Sequence, residues 1–137
     1  MGKEQSIAVR LAWLDRPLAI CRLPASSSVP EWAMRPGAFF CAVRAGEELS
    51  LVCEVALLPG GDEIVGRDGE GPFLAFRVAD PLDFSLVGVL ASLLVPMAAA
   101  GVSVFVVSTY DTDYLLVREG QSGAAAAALT GAGHEFV

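Results

Sequence analysis

The most reactive side chains in the sequence are three cysteines, Cys21, Cys41 and Cys53, and a single histidine, His134. A cysteine nucleophile needs a base within hydrogen-bond reach, and a zinc site needs thiols and imidazoles at short, fixed spacings. The three cysteines are well separated and the histidine is far from all of them, so neither arrangement is present. Each cysteine lies in an apolar strand-like run and reads as a small core hydrophobe. His134 opens the last predicted strand and is expected to face solvent or an interface. There is no phosphate-binding glycine loop, no Gly-x-Ser-x-Gly elbow and no metal cluster, so the chain reads as a non-enzyme with no metal and no cofactor. The carboxylates Asp80, Asp83, Asp111 and Asp113 remain. They gather at the ends of predicted elements, where a cationic or zwitterionic ligand would dock.

Composition narrows the partners. The 137 residues are 54% hydrophobic and 18% charged, with 16 acids against 9 bases and a net charge of −7. High hydrophobicity with few charges excludes disorder. The negative balance repels phosphate, which argues against nucleic acid. From Phe84 to Tyr110 there are 27 uncharged residues, long enough to cross a bilayer. Pro96 and Gly101 divide that run, however. Before them Leu86, Leu90, Leu93, Leu94 and Met97 follow helical spacing; after them Val102–Val107 is β-branched and strand-like. No Trp, Lys or Arg anchors flank the run, so no membrane span is expected. The N-terminus has no apolar signal segment, and the expected location is cytoplasmic, with reduced thiols.

The spacing predicts an α+β fold. In the second half, Phe73–Val78 is a strand and Ser85–Ala100 a helix capped by Asp83 or Ser85, with Gly101 at its C′ position. Pro96 is expected to kink that helix or end it early. Strands Val102–Ser108 and Tyr114–Val117 follow, joined by a turn through Tyr110-Asp111-Thr112. A short helix Ala124–Leu129, capped by Ser122, and a last strand His134–Val137 complete a β-α-β-β-α-β order, the ferredoxin-like arrangement. The two strands joined by the first helix are expected to pair in parallel. In the first half, Ile7–Leu14 and Leu18–Leu23 read as strands, Pro30-Glu31-Trp32 as one helical turn, and Phe39–Arg44 with Leu49–Val55 as a hairpin. Pro59–Pro72, with five glycines and five charges, reads as a linker. The segment Val43–Val52 can be laid over Ser108–Val117 at an offset of 65, which suggests a degenerate tandem repeat. The implied organisation is an N-terminal unit over residues 1–60, a linker over 61–72 and a C-terminal unit over 73–137.

Two stretches carry a family resemblance. One is Pro81-Leu-Asp-Phe-Ser-Leu-Val-Gly-Val-Leu-Ala-Ser-Leu; the other is Ala100-Gly-Val-Ser-Val-Phe-Val-Val-Ser-Thr-Tyr-Asp-Thr-Asp-Tyr-Leu-Leu-Val. Together they resemble ACT domains, and most of all the small bacterial tandem-ACT proteins related to the CASTOR arginine sensors. Pro36–Phe40 and Glu48–Cys53 look like that family's first unit. The resemblance implies regulation: paired units that bind a small ligand, commonly an amino acid, at their mutual interface. In the first unit the first helix is reduced to about a turn, which departs from the pattern. A ligand carboxylate suits the amides at a helix N-terminus, here Leu86, Val87 and Gly88. Asp83, Asp111 and Asp113 are candidates for the cationic end. The resemblance also implies pocket roles for Ser108, Thr109, Tyr110 and Asp113.

Each of these residues also has a structural reading. Asp83 and Ser85 stand where helix caps belong, and Asp111 and Asp113 flank a turn in which Asp bonds locally. Tyr110 can shield the sheet edge, while Trp13 and Trp32 read as core or interface. Two functions stay open: an amino-acid-sensing regulatory module, and a structural or protein-partner-binding module that has lost its ligand. A regulated protein partner fits either, and the sequence accommodates both a monomer and a homodimer.

Overall fold

A computed structural model describes residues 7–60, 69–80 and 87–137. In chain order the strands are β1 (Arg10–Trp13), β2 (Leu18–Pro24), β3 (Phe40–Ala45), β4 (Glu48–Glu54), β5 (Gly69–Val78), β6 (Val104–Ser108), β7 (Asp113–Arg118) and β8 (Glu135–Phe136). The helices are α1 (Val89–Ala99) and α2 (Ser122–Gly131), with single 3-10 turns at Glu31–Met34, Val55–Leu57 and Glu119–Gln121. The chain forms two units. A split unit combines Met1–Leu14 with Ala75–Val137, and an inserted unit comprises Asp15–Leu74. The division differs from the expected 1–60 and 73–137, because the first strand pairs with the end of the chain rather than with its sequence neighbours.

In the inserted unit the strands lie in the order β3-β4-β2-β5, with antiparallel neighbours throughout. Alternation along the strands puts Ala19 and Cys21 of β2 and Leu49, Leu51 and Cys53 of β4 on one face, in a core shared with Ala33 and Leu58. The helix expected in the first unit is, as anticipated, a single turn. Trp32 packs against that core rather than forming a ligand box. Cys21 and Cys53 are buried and Cys41 is half-buried. A hydrogen bond with Cys21, then burial, pushes the Cys53 thiol far above the ordinary range, so it stays protonated.

The split unit repeats the same order with one addition, β6-β7-β5-β1-β8. Strand β1 slides between β5 and β8, antiparallel to the first and parallel to the second, with Leu11 facing Val78 on one side and Phe136 on the other. Helices α1 and α2 cover one face, where Val89, Leu93, Met97, Ala125 and Leu129 meet Leu11, Phe76, Val78, Leu115 and Val117. Trp13 stacks on Phe136 with centroids 5.2 Å apart and stands edge-on to Phe76. The strands on either side of α1, β5 and β6, are not paired with each other as expected; β7 lies between them. The linker's last residues also belong to β5, whose first half pairs with β2 and whose second half pairs with β1.

The uncharged stretch of residues 84–110 thus contains an 11-residue helix and a strand. No helix among the described residues is long and apolar enough to cross a membrane. Helix α1 starts at Val89 with Gly88 in the cap position and no side-chain cap, four residues later than the expected Ser85. Pro96 does not end the helix early: α1 continues past it to Ala99. Both helices finish in the same six-residue motif. The amides of Gly101 and Val102 bond the carbonyls of Ala98 and Met97, and those of Gly133 and His134 bond Thr130 and Leu129. Gly101 (φ 76°) and Gly133 (φ 102°) supply the left-handed residue that this Schellman arrangement needs. Ser122 is the first residue of α2, not its cap, and its hydroxyl donates back to the Glu119 carbonyl at 2.9 Å.

The two units share a strand order, β3-β4-β2 and β6-β7-β5, but their hairpins are not in ungapped register. In the first hairpin Ala45 faces Glu48 across a two-residue turn; in the second Ser108 faces Asp113 across a four-residue turn. The offset of 65 therefore holds for β4 against β7 and fails for β3 against β6. Since β1 completes the split unit, Leu11→Ala should cost about 2–5 kcal/mol by urea unfolding, the range for deleting a fully buried leucine side chain. Residues 75–137 expressed alone should give no cooperative transition; a sharp one would show that β1 is dispensable.

Candidate functional site

Strand β5 ends at Val78, and the β6–β7 turn is bonded to that end; α1 begins further along the chain, at Val89. The turn is held by local hydroxyl bonds. Ser108 Oγ donates to Asp113 Oδ1 at 2.6 Å, Thr109 Oγ1 donates to the Thr112 carbonyl, and the Thr112 amide donates to Thr109 Oγ1. A backbone bond from Thr109 N to Thr112 O, 2.8 Å, closes the loop. Thr112 Oγ1 then reaches out of the turn to the Val78 carbonyl at 3.0 Å. That long-range bond ties the turn to the end of β5.

The sequence-predicted residues divide into three groups. Ser108, Thr109, Tyr110, Asp111 and Asp113 are together on this turn; Asp113 is half-buried, while Tyr110 is 82% exposed at the tip. Val87 and Gly88 lie immediately before α1, with Val87 exposed. Asp83, Ser85 and Leu86 lie outside the described residues. Because the helix starts at Val89, its unbonded first-turn amides are those of Val89, Leu90 and Ala91; the first helical bond runs from Ser92 N to Gly88 O. Gly88 has φ 87°, a left-handed conformation, and a Cβ placed there would lie 3.2 Å from Ile7 Cδ1. Both facts make glycine the residue that lets the chain turn into α1 beneath Ile7.

Two further residues take part. Thr112 is one, in a turn flanked by Asp, where such hydroxyls bond locally. Arg10 is the other. Its guanidinium donates to Asp80 Oδ1 (Nε at 2.8 Å, Nη2 at 2.6 Å), and its own amide donates to Asp80 Oδ2 at 3.1 Å. The side-chain bond, then the amide bond, holds the Asp80 carboxyl below its ordinary range. Asp80 is therefore already neutralised and does not act as a docking acid. Asp111 and Asp113 on the turn, and Glu135 opposite Arg10 in the sheet, are the other carboxylates at this end among the described residues. No group of three or more His, Cys, Asp or Glu side chains is placed to hold a metal ion among those residues. The turn offers hydroxyls and carboxylates, and α1 offers helix-start amides, a set suited to binding.

Comparison with known proteins follows this architecture. The ACT domain model matches residues 69–131, and a separate N-terminal-domain model matches residues 17–60. The crystal structure of protein Atu0741 from Agobacterium tumefaciens is 33% identical, covers 96% of this chain and 93% of its own, and superposes with a TM-score of 0.82. VC0802 from Vibrio cholerae, described as a possible transport protein, is 19% identical, with 92% and 91% covered and a TM-score of 0.68. The ligand-free regulatory subunit of aspartate kinase from Thermus thermophilus is 12% identical, with 93% and 99% covered and a TM-score of 0.62; at that identity it is alike in fold. No curated protein matches the chain.

The geometry at Gly88 can be tested directly. Gly88→Ala combines a strained φ with a close approach to Ile7, and should lower stability by about 1–3 kcal/mol in chemical denaturation. A neutral result would mean that the α1 start has room to rearrange.

Proposed function

Because the chain belongs to the same family as Agobacterium tumefaciens Atu0741 and its residues 69–131 match the ACT domain, we propose that it is a regulatory module that binds an amino acid. The ACT match carries this reading, and the split unit's chemistry supports it. A free amino acid presents a carboxylate and an ammonium group a few ångströms apart. The α1 amides of Val89, Leu90 and Ala91 suit the carboxylate, helped by the positive end of the helix dipole. Asp113 and Asp111 on the β6–β7 turn suit the ammonium group. Ser108 and Thr109 orient the turn, and Thr112 ties it to Val78, so the acidic groups are preorganised rather than recruited on binding. The ligand's role is to favour one conformational state of the module, which a regulated protein partner reads.

The test is a thermal-shift screen of the ligand-stripped protein against the twenty amino acids at millimolar concentration. A ligand that binds only the native state stabilises it by about 2.7 kcal/mol at one hundred times its Kd. At least one amino acid should raise Tm, and Asp113→Ala should abolish that rise while leaving a cooperative transition. If none of the twenty shifts Tm, the sensing reading fails and the module binds a protein partner only. If Asp113→Ala retains the full shift, the ammonium group is held elsewhere.

A further inference from the structure

His134 is 3% exposed, contrary to the expectation that it faces solvent or an interface. Its place follows from the Schellman end of α2, which turns the chain inward just after Gly133. Both ring nitrogens are used. Nδ1 lies 3.2 Å from the Val9 amide, which donates to it, and Nε2 lies 3.0 Å from the Ser92 carbonyl. An amide can only donate and a carbonyl can only accept. The ring must therefore be neutral, with its one proton on Nε2.

The Ser92 carbonyl is open to this donor for a reason visible in the sequence. In a regular helix it would accept from the amide of the residue four places on, and that residue is Pro96, which has no N–H. His134 fills the acceptor that Pro96 leaves vacant. Through its other nitrogen it takes up the Val9 amide, immediately ahead of β1. The backbone continues the tie: Glu135 N bonds Val9 O at 3.1 Å, and Val137 N bonds Leu11 O at 2.8 Å.

We infer that His134 is an acid-released latch holding strand β1 in the split unit. Protonation makes Nδ1 a donor, so the Val9 amide faces another N–H and loses its acceptor inside the protein. Among the described residues, the elements around the ring bring no carboxylate against it. Helices α1 and α2 contain no ionisable side chain. From β1 comes Arg10, already paired with Asp80, and from β8 comes Glu135, which is exposed and stands opposite Arg10 in the sheet. The latch is closed with the neutral ring, and its contribution is lost when acid protonates Nδ1. His134 is the chain's one histidine, so an acid-dependent loss that vanishes with it is assigned to it.

The experiment uses the full chain. Imidazole nitrogen NMR at neutral pH should show the Nε2–H tautomer; the Nδ1–H tautomer or an imidazolium would overturn the proposal without any variant. Amide hydrogen exchange, corrected for intrinsic rates, is then compared between about pH 7 and about pH 5.5. Protection at Val9, Glu135 and Val137 should fall about fivefold or more, as expected for one buried backbone donor left unpaired, while β4 amides stay unchanged. Pair-wise, His134→Gln keeps an acceptor and a donor but does not titrate, so its protection should be independent of pH. Unchanged protection in the wild-type chain, or the same loss in His134→Gln, overturns the latch. If the variant does not fold, the tautomer and the wild-type exchange decide the question between them.

Discussion

The split unit depends on one missing hydrogen bond and its replacement. Pro96 removes an amide from α1, the Ser92 carbonyl is left open, and His134 closes it from across the fold. An unsatisfied buried carbonyl costs about 1–3 kcal/mol, so a helix interrupted this way would otherwise kink or stop at the proline. Here it runs on to Ala99, and the histidine that repairs it also takes the Val9 amide. One imidazole therefore joins α1, the end of α2, the start of β8 and the approach to β1. The tie matters because β1 is separated from the rest of its unit by all of Asp15–Leu74. A four-residue strand brings few backbone bonds to offset that long closure. The aromatic packing of Trp13 on Phe136 and Phe76, together with the His134 bonds, supplies what the strand's length does not.

The sequence made some of this legible because the signals were local. Alternation marked β2, β3 and β4, and the β-branched run marked β6. Gly101 marked the end of α1, since only a residue tolerant of positive φ closes a Schellman turn cheaply. The reduced first helix was visible in the proline- and serine-rich stretch after Leu23. What stayed hidden depended on partners far along the chain. Nothing within Arg10–Trp13 says that it enters between β5 and β8 rather than joining β2. Pairings over such separations leave no periodic trace. Helix α1 illustrates a smaller failure: Asp83 and Ser85 look like caps, yet the left-handed Gly88 sets the start at Val89. A cap residue is permissive, and the turn geometry decides.

The candidate site shows the same division. The residues of the β6–β7 turn were identifiable from type and spacing, because hydroxyls and carboxylates in a turn bond to one another across three or five residues. The bonds that give the turn a fixed place do not share that locality. Thr112 reaches Val78 over 34 residues, and Arg10 reaches Asp80 over 70. The second of these changes the charge of the site: an acid counted toward a cationic ligand is already paired. The acids left outside that pair, at this end and among the described residues, are the two on the turn and Glu135 beside Arg10.

Both units solve one problem in the same way, although they share little sequence. In the split unit the defect is a helix lacking a donor, and a buried imidazole N–H supplies it. In the inserted unit the defect is a helix shortened to one turn, which leaves the backbone before β3 irregular and its amides without helical acceptors. There Glu54, only 7% exposed, accepts from the Phe39 amide at 3.1 Å and is balanced by Arg16 at 3.3 Å. A buried carboxylate is costly unless paired, and this one is paired on both oxygens. His134 and Glu54 are the two buried polar residues among those described, and each sits where regular secondary structure gives out. In so apolar a chain, polar side chains enter the interior where the backbone has a bond to make and no backbone partner to make it with.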